Sequence, residues 1–334
     1  MKHSNISIFV PHIGCPNMCS FCNQHTISGT QKAPTAEKVM AVCTQALGEV
    51  RSPENAEIAF FGGSFTAIPQ DYMVSLLETA SEFVGKGKFR GIRISTRPDC
   101  IDTQILCILR KYGVTSIELG AQSMVNHVLE SNDRGHTAED VFRACRLIRA
   151  EGFELGLQMM MGLYKSTESD EYETFEKIIY IKPDTVRIYP VVILKNTRLG
   201  ELYKSGEYKT FSFDEVVNMV SAFLTSFEKN GINVIKCGLH ASEFVENDMV
   251  GGFYHPAFRE ICESRIYRDK ISQILARKTG KNRDFSFAVS PTCISKAVGQ
   301  CRANINYFRE KFSGCNVKII GDIGVKKYDV ELRG

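Results

Sequence analysis

Three cysteines fall within eight residues, in Gly14-Cys15-Pro16-Asn17-Met18-Cys19-Ser20-Phe21-Cys22. Thiolates are soft ligands that suit zinc and iron–sulfur clusters. A C-x3-C-x2-C loop can wrap one compact object and offer it all three. Three readings compete. A structural zinc ion needs a fourth ligand, and His12 and His25 stand near enough in the chain to supply one. Three core thiols with no joint task are the plain alternative, although a polar loop with Pro and Asn is a poor place for them. A cubane held by three thiolates leaves one iron open, as catalytic metal sites keep a free position. None of the other nine cysteines forms a C-x2-C pair, so nothing completes a four-cysteine zinc site.

The elements around this loop are well signalled. Strands are expected at Asn5 to Val10, Ile58 to Phe61, Gly91 to Ser95, Ser116 to Leu119, Glu154 to Met160 and Thr185 to Tyr189. Each is short and mostly apolar or β-branched, as buried parallel strands are. Between them, Met73, Leu76, Leu77, Ala80 and Val84 keep one helical face. Asp102 can N-cap the next helix and Gly113 can end it; Thr137 and Asp140 form a capping pattern. Six β/α units before residue 190 predict a parallel α/β domain, too short for an eight-unit barrel. A partial (β/α)6 barrel or a doubly wound sheet remains. In either, the loop after the first strand lies at a carboxyl end, where sites are built.

After Tyr189 the rhythm changes. A loop-rich stretch, Pro190 to Tyr208, leads to a helix over Asp214 to Asn230 and a strand near Ile232 to Lys236 that continues the sheet. Beyond residue 257 come a helix, a strand (Asp284 to Val289), a helix (Ile294 to Phe312) and two strands (Val317 to Ile320, Val325 to Leu332). This reads as a core domain over 1–240 and a small α+β appendage over 241–334.

Composition bounds the function. The chain has 334 residues, 43% hydrophobic and 24% charged, which excludes disorder as the main state. No apolar run approaches a membrane span. The patch Ile6 to Val10 is too short for a secretory signal and is interrupted by Pro11 and His12. A reducing cytoplasmic compartment is expected, with thiols as ligands or core residues. The net charge of +3 hides an asymmetry: residues 259–334 hold 16 Lys/Arg and 8 Asp/Glu, a net of +8, which leaves −5 for the rest. A basic end on an acidic body suggests an anionic partner, with a solvated face as the bland alternative.

The loop, with aromatic Phe21 just before Cys22 and its place after the first strand, resembles the radical S-adenosylmethionine (SAM) superfamily. That resemblance implies that Cys15, Cys19 and Cys22 hold a [4Fe-4S] cluster whose open iron chelates the amino and carboxylate groups of SAM. Cleavage of SAM by one electron would then start radical chemistry, with the electron coming from a flavodoxin- or ferredoxin-like donor. SAM contacts are expected at later strand ends. Gly62-Gly63-Ser64 stands where the family carries a Gly-Gly motif for the methionine amino group, with Ser64 replacing its usual Glu. Ser95 and Arg97 follow strand three, and Glu118 and Gln122 strand four; Arg134 lies in Asn132-Asp133-Arg134-Gly135-His136-Thr137. Gln122 and Arg134 are expected at the SAM ribose or carboxylate. Gln158 stands where related coproporphyrinogen oxidases carry an Asp for the ribose.

The segments S-T-R-P-D, E-L-G-A-Q-S, R-G-H-T, Met160 to Leu163 and Tyr189 to Thr197 resemble the radical SAM domain of Elongator protein 3, which modifies wobble uridine in transfer RNA. The resemblance covers roughly residues 5 to 240; it does not carry over the carboxymethyl-type chemistry on transfer RNA, and it leaves the substrate unidentified, with RNA met by the basic C-terminal region as one candidate. The last 76 residues are too few for the acetyltransferase domain of that protein, so the chain reads as a stand-alone bacterial relative. The departures at Ser64 and Gln158 keep a second reading open, a non-catalytic metal- or cluster-binding RNA adaptor. A coproporphyrinogen oxidase-like activity is a third, disfavoured by the absence of that family's Gly-Gly-Gly-Thr-Pro-type motif. Weaker readings are a connector, or else a lid, with His240, Gly251 to Pro256 and His255; contact of Lys195 and Arg198 with an anionic substrate or with water; and Tyr189 as a core residue or stacked on adenine. Cys237, Cys262, Cys293 and Cys301 read as buried small hydrophobes rather than a second cluster.

Overall fold

Short apolar segments separated by capped helices can bury both strand faces only in a parallel sheet, and the computed structural model has that arrangement. It describes residues 4–11, 15, 18–23, 32–239, 243–278, 284–312 and 314–333. Gly14, His12, His25 and His240 lie outside the described residues. The strands are β1 (Ser4–Val10), β2 (Ala56–Gly62), β3 (Gly91–Thr96), β4 (Val114–Gln122), β5 (Glu154–Met161), β6 (Thr185–Pro190), β7 (Val192–Leu194), β8 (Asn233–Cys237) and β9 (Met249–Gly252). Seven of them form one parallel sheet in the order β1-β2-β3-β4-β5-β6-β8. This is a curled, open half-barrel of the α/β class, with β8 continuing the sheet as its sequence predicts.

Local signals set the ends of the helices. Asp102 accepts from the Ile105 amide at 2.8 Å, and Thr137 and Asp140 close a capping box. Gly113 turns the chain back at φ 78°. The helix Gln70–Ser81 buries Met73, Leu76, Leu77 and Ala80, while Val84 falls after its end. Gly156 is required by a neighbour: a Cβ there would lie 2.8 Å from Glu118 Cγ, so only glycine leaves room for that buried carboxylate on the adjacent strand.

The stretch Pro190 to Tyr208 is not a plain loop. It holds β7 and the helix Arg198–Ser205, which Thr197 caps through the Gly200 amide. The Gly251-Gly252 pair belongs to β9, which pairs antiparallel with β7, so it is not free to act as a lid. Gly252, at φ 89°, lets Val191 O approach to 2.3 Å of where a Cβ would stand.

The chain divides into two compact units, 1–210 with 232–254, and 211–231 with 255–334. The helix Phe213–Lys229 therefore belongs with the second unit, although it precedes the division expected at residue 240. Its apolar face (Val216, Val220, Phe223, Phe227) is buried, and Ser221 Oγ donates to Cys262 O at 2.9 Å in the helix Phe258–Ala276. The second unit also holds β10 (Asp284–Val289), β11 (Asn316–Gly321) and β12 (Glu331–Leu332) in the order β11-β10-β12. Ile271, Leu275, Phe287, Ile305, Phe308, Cys315 and Val317 form its core. Two expectations need correction. The helix expected over Ile294 to Phe312 breaks at Gly299 (φ 80°), and only Ala303–Lys311 continues it. The strand expected over Val325 to Leu332 shrinks to two residues, because Tyr328 turns at φ 65°. Cys237, Cys262 and Cys293 are buried and Cys301 is exposed. Among the described residues, no helix is long and apolar enough to cross a membrane.

Candidate metal and cofactor site

The cysteine loop follows β1, and later strand ends reach back to it. Cys19 is buried, and Cys15 and Cys22 are half-buried. Burial pushes the Cys15 thiol up, opposed by a hydrogen bond from the Ser64 main chain and by the charges of Arg134 and Arg97. Arg134 donates from Nη1 to Cys19 Sγ at 3.1 Å and from Nη2 to Gly120 O at 2.6 Å. The Cys22 amide closes a turn on Cys19 O at 3.0 Å. Phe21 packs into an apolar cluster with Val125, Val128, Leu163, Val191 and Leu199.

The Gly-Gly turn after β2 is set by β1. A Cβ on Gly62 (φ 112°) would stand 2.8 Å from Val10 O, and the Gly63 amide donates to that same carbonyl at 2.8 Å. Ser64 faces elsewhere. Its hydroxyl is 2.8 Å from Thr96 Oγ1, which in turn is 2.6 Å from Thr66 Oγ1, and it accepts from the Arg97 amide at 3.2 Å. The Arg97 guanidinium is spent on Asp99, with bonds of 3.0 and 2.9 Å.

Further in, the half-barrel holds a charged layer. Glu118 accepts from Arg93 Nη1 (3.0 Å), Arg187 Nε (2.6 Å) and Nη2 (2.8 Å), and Gln158 Nε2 (3.1 Å). Gln158 also reaches Ser95 Oγ at 3.3 Å. Arg93 meets Glu57 at 2.8 Å and Glu154 at 2.7 Å as well. Its charge is enclosed but matched, the only state in which a buried guanidinium is tolerable. The Arg187 guanidinium lies 5.0 Å from the centre of the Phe61 ring and 3.5 Å from Tyr189 Oη.

Ser64, Arg97, Gln122 and Arg134 thus gather near Cys15 and Cys19 or at the adjoining strand ends, whereas Ser95, Glu118 and Gln158 form a separate group. Sequence alone assigns no task to Arg187, Arg93 or Asn132. The signal for the first two is a charge inside an otherwise apolar strand. Lys195 and Arg198 are paired with Asp248 and Asp133, and His255 Nδ1 accepts from the Ala257 amide at 3.0 Å.

The donor set suits the groups that the sequence implies. Two buried polar atoms, Gln122 Oε1 and Arg134 Nε, have no hydrogen-bond partner among the described residues. Soft thiols with cationic donors beside them match a thiolate-held, electron-accepting cluster. Among the described residues, no three His, Cys, Asp or Glu side chains converge as ligands of a single ion do. A cluster whose thiolates bind separate irons does not require that convergence.

Comparison with known proteins gives the family and the fold. The radical SAM superfamily profile matches residues 9–178, and the radical SAM C-terminal domain profile matches residues 183–268. A tRNA uridine(34) acetyltransferase of Methanocaldococcus jannaschii is 31% identical over 196 residues, 52% of this chain and 36% of that protein. Elongator complex protein 3 of Saccharomyces cerevisiae is 29% identical over 255 residues, 64% of this chain and 46% of that protein. The chain thus spans between a third and a half of the length of these relatives. Among solved structures, archaeal Elp3 of Methanocaldococcus infernus, lacking its N-terminus, has a similar fold with a TM-score of 0.56 at 21% identity. That match covers 73% of this chain and 61% of that one.

Proposed function

Since the chain belongs to the radical SAM superfamily, we propose that it binds a [4Fe-4S] cluster through Cys15, Cys19 and Cys22 and uses it to cleave SAM, starting radical chemistry on an RNA. One observation carries the reading: the Arg134 guanidinium, in the turn that follows the helix Asn126–Ser131, donates to the Cys19 sulfur of the loop after β1 at 3.1 Å. When bound, the reduced cluster supplies the electron that splits SAM into methionine and a 5′-deoxyadenosyl radical.

The chain's own residues then have defined tasks. Arg134 donates to the Cys19 sulfur and ties it to the end of β4. The Gly62-Gly63 turn leaves main chain exposed for close approach of the methionine group. Gln122, whose Oε1 has no partner among the described residues, takes a donor of SAM. Gln158 and Ser95, oriented by Glu118 and Arg187, serve the ribose with neutral bonds. Ser64 acts through its main chain, because its hydroxyl is already used. Apolar packing around Phe21 covers Cys19 and part of Cys22. The electron comes from an external protein donor of flavodoxin or ferredoxin type.

RNA as the substrate class rests on the names of the relatives and on the basic end of the chain. Arg277, Lys278, Arg309, Lys318 and Lys326 are exposed there. Anaerobic reconstitution with iron, sulfide, SAM and dithionite should release 5′-deoxyadenosine. Absence of both release and cluster absorbance sinks the reading. One zinc and no iron on metal analysis favours the RNA-adaptor alternative.

A further inference from the structure

Asn132 belongs to none of the groups given a task above, yet it makes every hydrogen bond its side chain allows. It is fully buried. Its Oδ1 accepts from Ser20 Oγ at 2.7 Å and from the Tyr164 amide at 3.3 Å. Its Nδ2 donates to Val128 O at 2.8 Å and to Tyr164 O at 2.9 Å. Its own carbonyl accepts from the Ser20 amide at 3.1 Å. On the other side, the Leu199 amide donates to Ser20 O at 2.8 Å. Ser20 is therefore gripped by its amide, its carbonyl and its hydroxyl, and it stands between Cys19 and Cys22.

We propose that Asn132 is a positioning residue for the cysteine loop: by holding Ser20 through main chain and side chain, it sets Cys19 and Cys22 in place before any iron arrives. The inference rests on the cluster reading above. Two acceptor and two donor positions are needed at once, and only an amide has them. Aspartate keeps the acceptors but turns a charge toward the Val128 and Tyr164 carbonyls. The backbone is bent to suit this task. Asp133 takes φ 55° and Gly135 φ 65°, and between them Arg134 reaches Cys19 from the same segment. The turn after the helix Asn126–Ser131 thus holds two successive residues of the cysteine loop, Cys19 by its sulfur and Ser20 by its main chain. A site built in this way loses little entropy when its ligand binds.

The full-length protein tests this with Asn132→Ala, Asn132→Asp and Ser20→Ala. Amide hydrogen exchange is read on the iron-free protein, and iron release to a chelator on the reconstituted protein. In Asn132→Ala the Ser20 amide should exchange about tenfold faster, and iron should leave about tenfold faster, from protein that still melts cooperatively. Asn132→Asp should lie between Asn132→Ala and wild type. The double variant Asn132→Ala with Ser20→Ala should be no worse than Asn132→Ala, since both act through one contact. A purely structural Asn132 would lower the melting point without quickening iron release from folded protein, and that outcome overturns the proposal. Unchanged Ser20 exchange in Asn132→Ala overturns it as well. If Asn132→Ala does not fold, Ser20→Ala carries the test, with iron release about threefold faster expected and a wild-type rate overturning it. Wild-type protein that takes up no iron at all overturns the cluster reading, and this inference with it.

Discussion

Arg134 bridges Cys19 and Gly120, donating 3.1 Å to the sulfur and 2.6 Å to the carbonyl. A single guanidinium thereby fixes the cysteine loop to the end of β4. The planar fork makes this bridge possible, and a point charge on a flexible stem cannot repeat it. Arg134→Lys should keep the fold yet lower 5′-deoxyadenosine release about tenfold, a loss of roughly one charged hydrogen bond. Product quantified per bound iron checks this; wild-type release by the variant would separate the bridge from the chemistry.

The Ser64 hydroxyl is enclosed with Thr96 and the Arg97 amide. Ser64→Ala should cost about 1 to 2 kcal/mol of stability by leaving those partners short. SAM affinity, read by equilibrium dialysis, should change little. Ser64→Glu should fold poorly, because a buried carboxylate there has no cation reserved for it.

Glu118 carries three ion-pair bonds from Arg93 and Arg187. Glu118→Gln takes from the buried Arg187 guanidinium the carboxylate it pairs with, while Arg93 keeps Glu57 and Glu154, and should lose about 3 kcal/mol or more. Arg187→Met should cost less, because Arg93 still pairs with Glu118. Denaturant melts of the two variants give the order, and the reverse order would refute this apportioning.

Glu171 links stability to pH. Burial pushes its carboxyl up to about 7, against hydrogen bonds from the Gly162 amide and Ser166 Oγ, both at 2.8 Å. The folded state therefore holds a proton that the unfolded chain releases near pH 4.5, its ordinary value. This contribution is complete below that value and is lost as pH rises to about 7. Its size is on the order of 3 kcal/mol. Glu171→Gln keeps an acceptor for both donors and should flatten the fall in stability over that window. Melts at stepped pH check it, and an unaltered slope would assign the fall to other groups.

For the basic end, charge reversal is cleaner than truncation, since deletion of residues 259–334 would strip the cover from the helix Phe213–Lys229. Arg277→Glu, Lys278→Glu and Lys318→Glu together should weaken transfer RNA binding and reduce its salt dependence by about one slope unit for each phosphate no longer neutralised. Equal affinity and equal slope would dismiss this face as the RNA contact.

Local signals in the chain suffice for the half-barrel and the cysteine loop. Strands and helices are announced by side-chain alternation, by caps such as Thr137 with Asp140, and by turn glycines such as Gly113. Three thiols in eight residues are equally local. The short β12 escaped because the left-handed turn at Tyr328 carries no glycine to announce it, and the break at Gly299 escaped because a single glycine inside an otherwise helical pattern does not by itself end a helix. The partners of the site residues arise only in three dimensions. Ser64 turns into a hydroxyl cluster because Thr96 lies across the sheet, and Glu118 meets Arg187 across β4, β5 and β6. Asn132 meets Ser20 from 112 residues away. Such pairings depend on register and closure between distant strands, which composition and spacing do not encode locally. The type of chemistry is therefore legible in one short loop, while the geometry that serves it exists only once the sheet has curled.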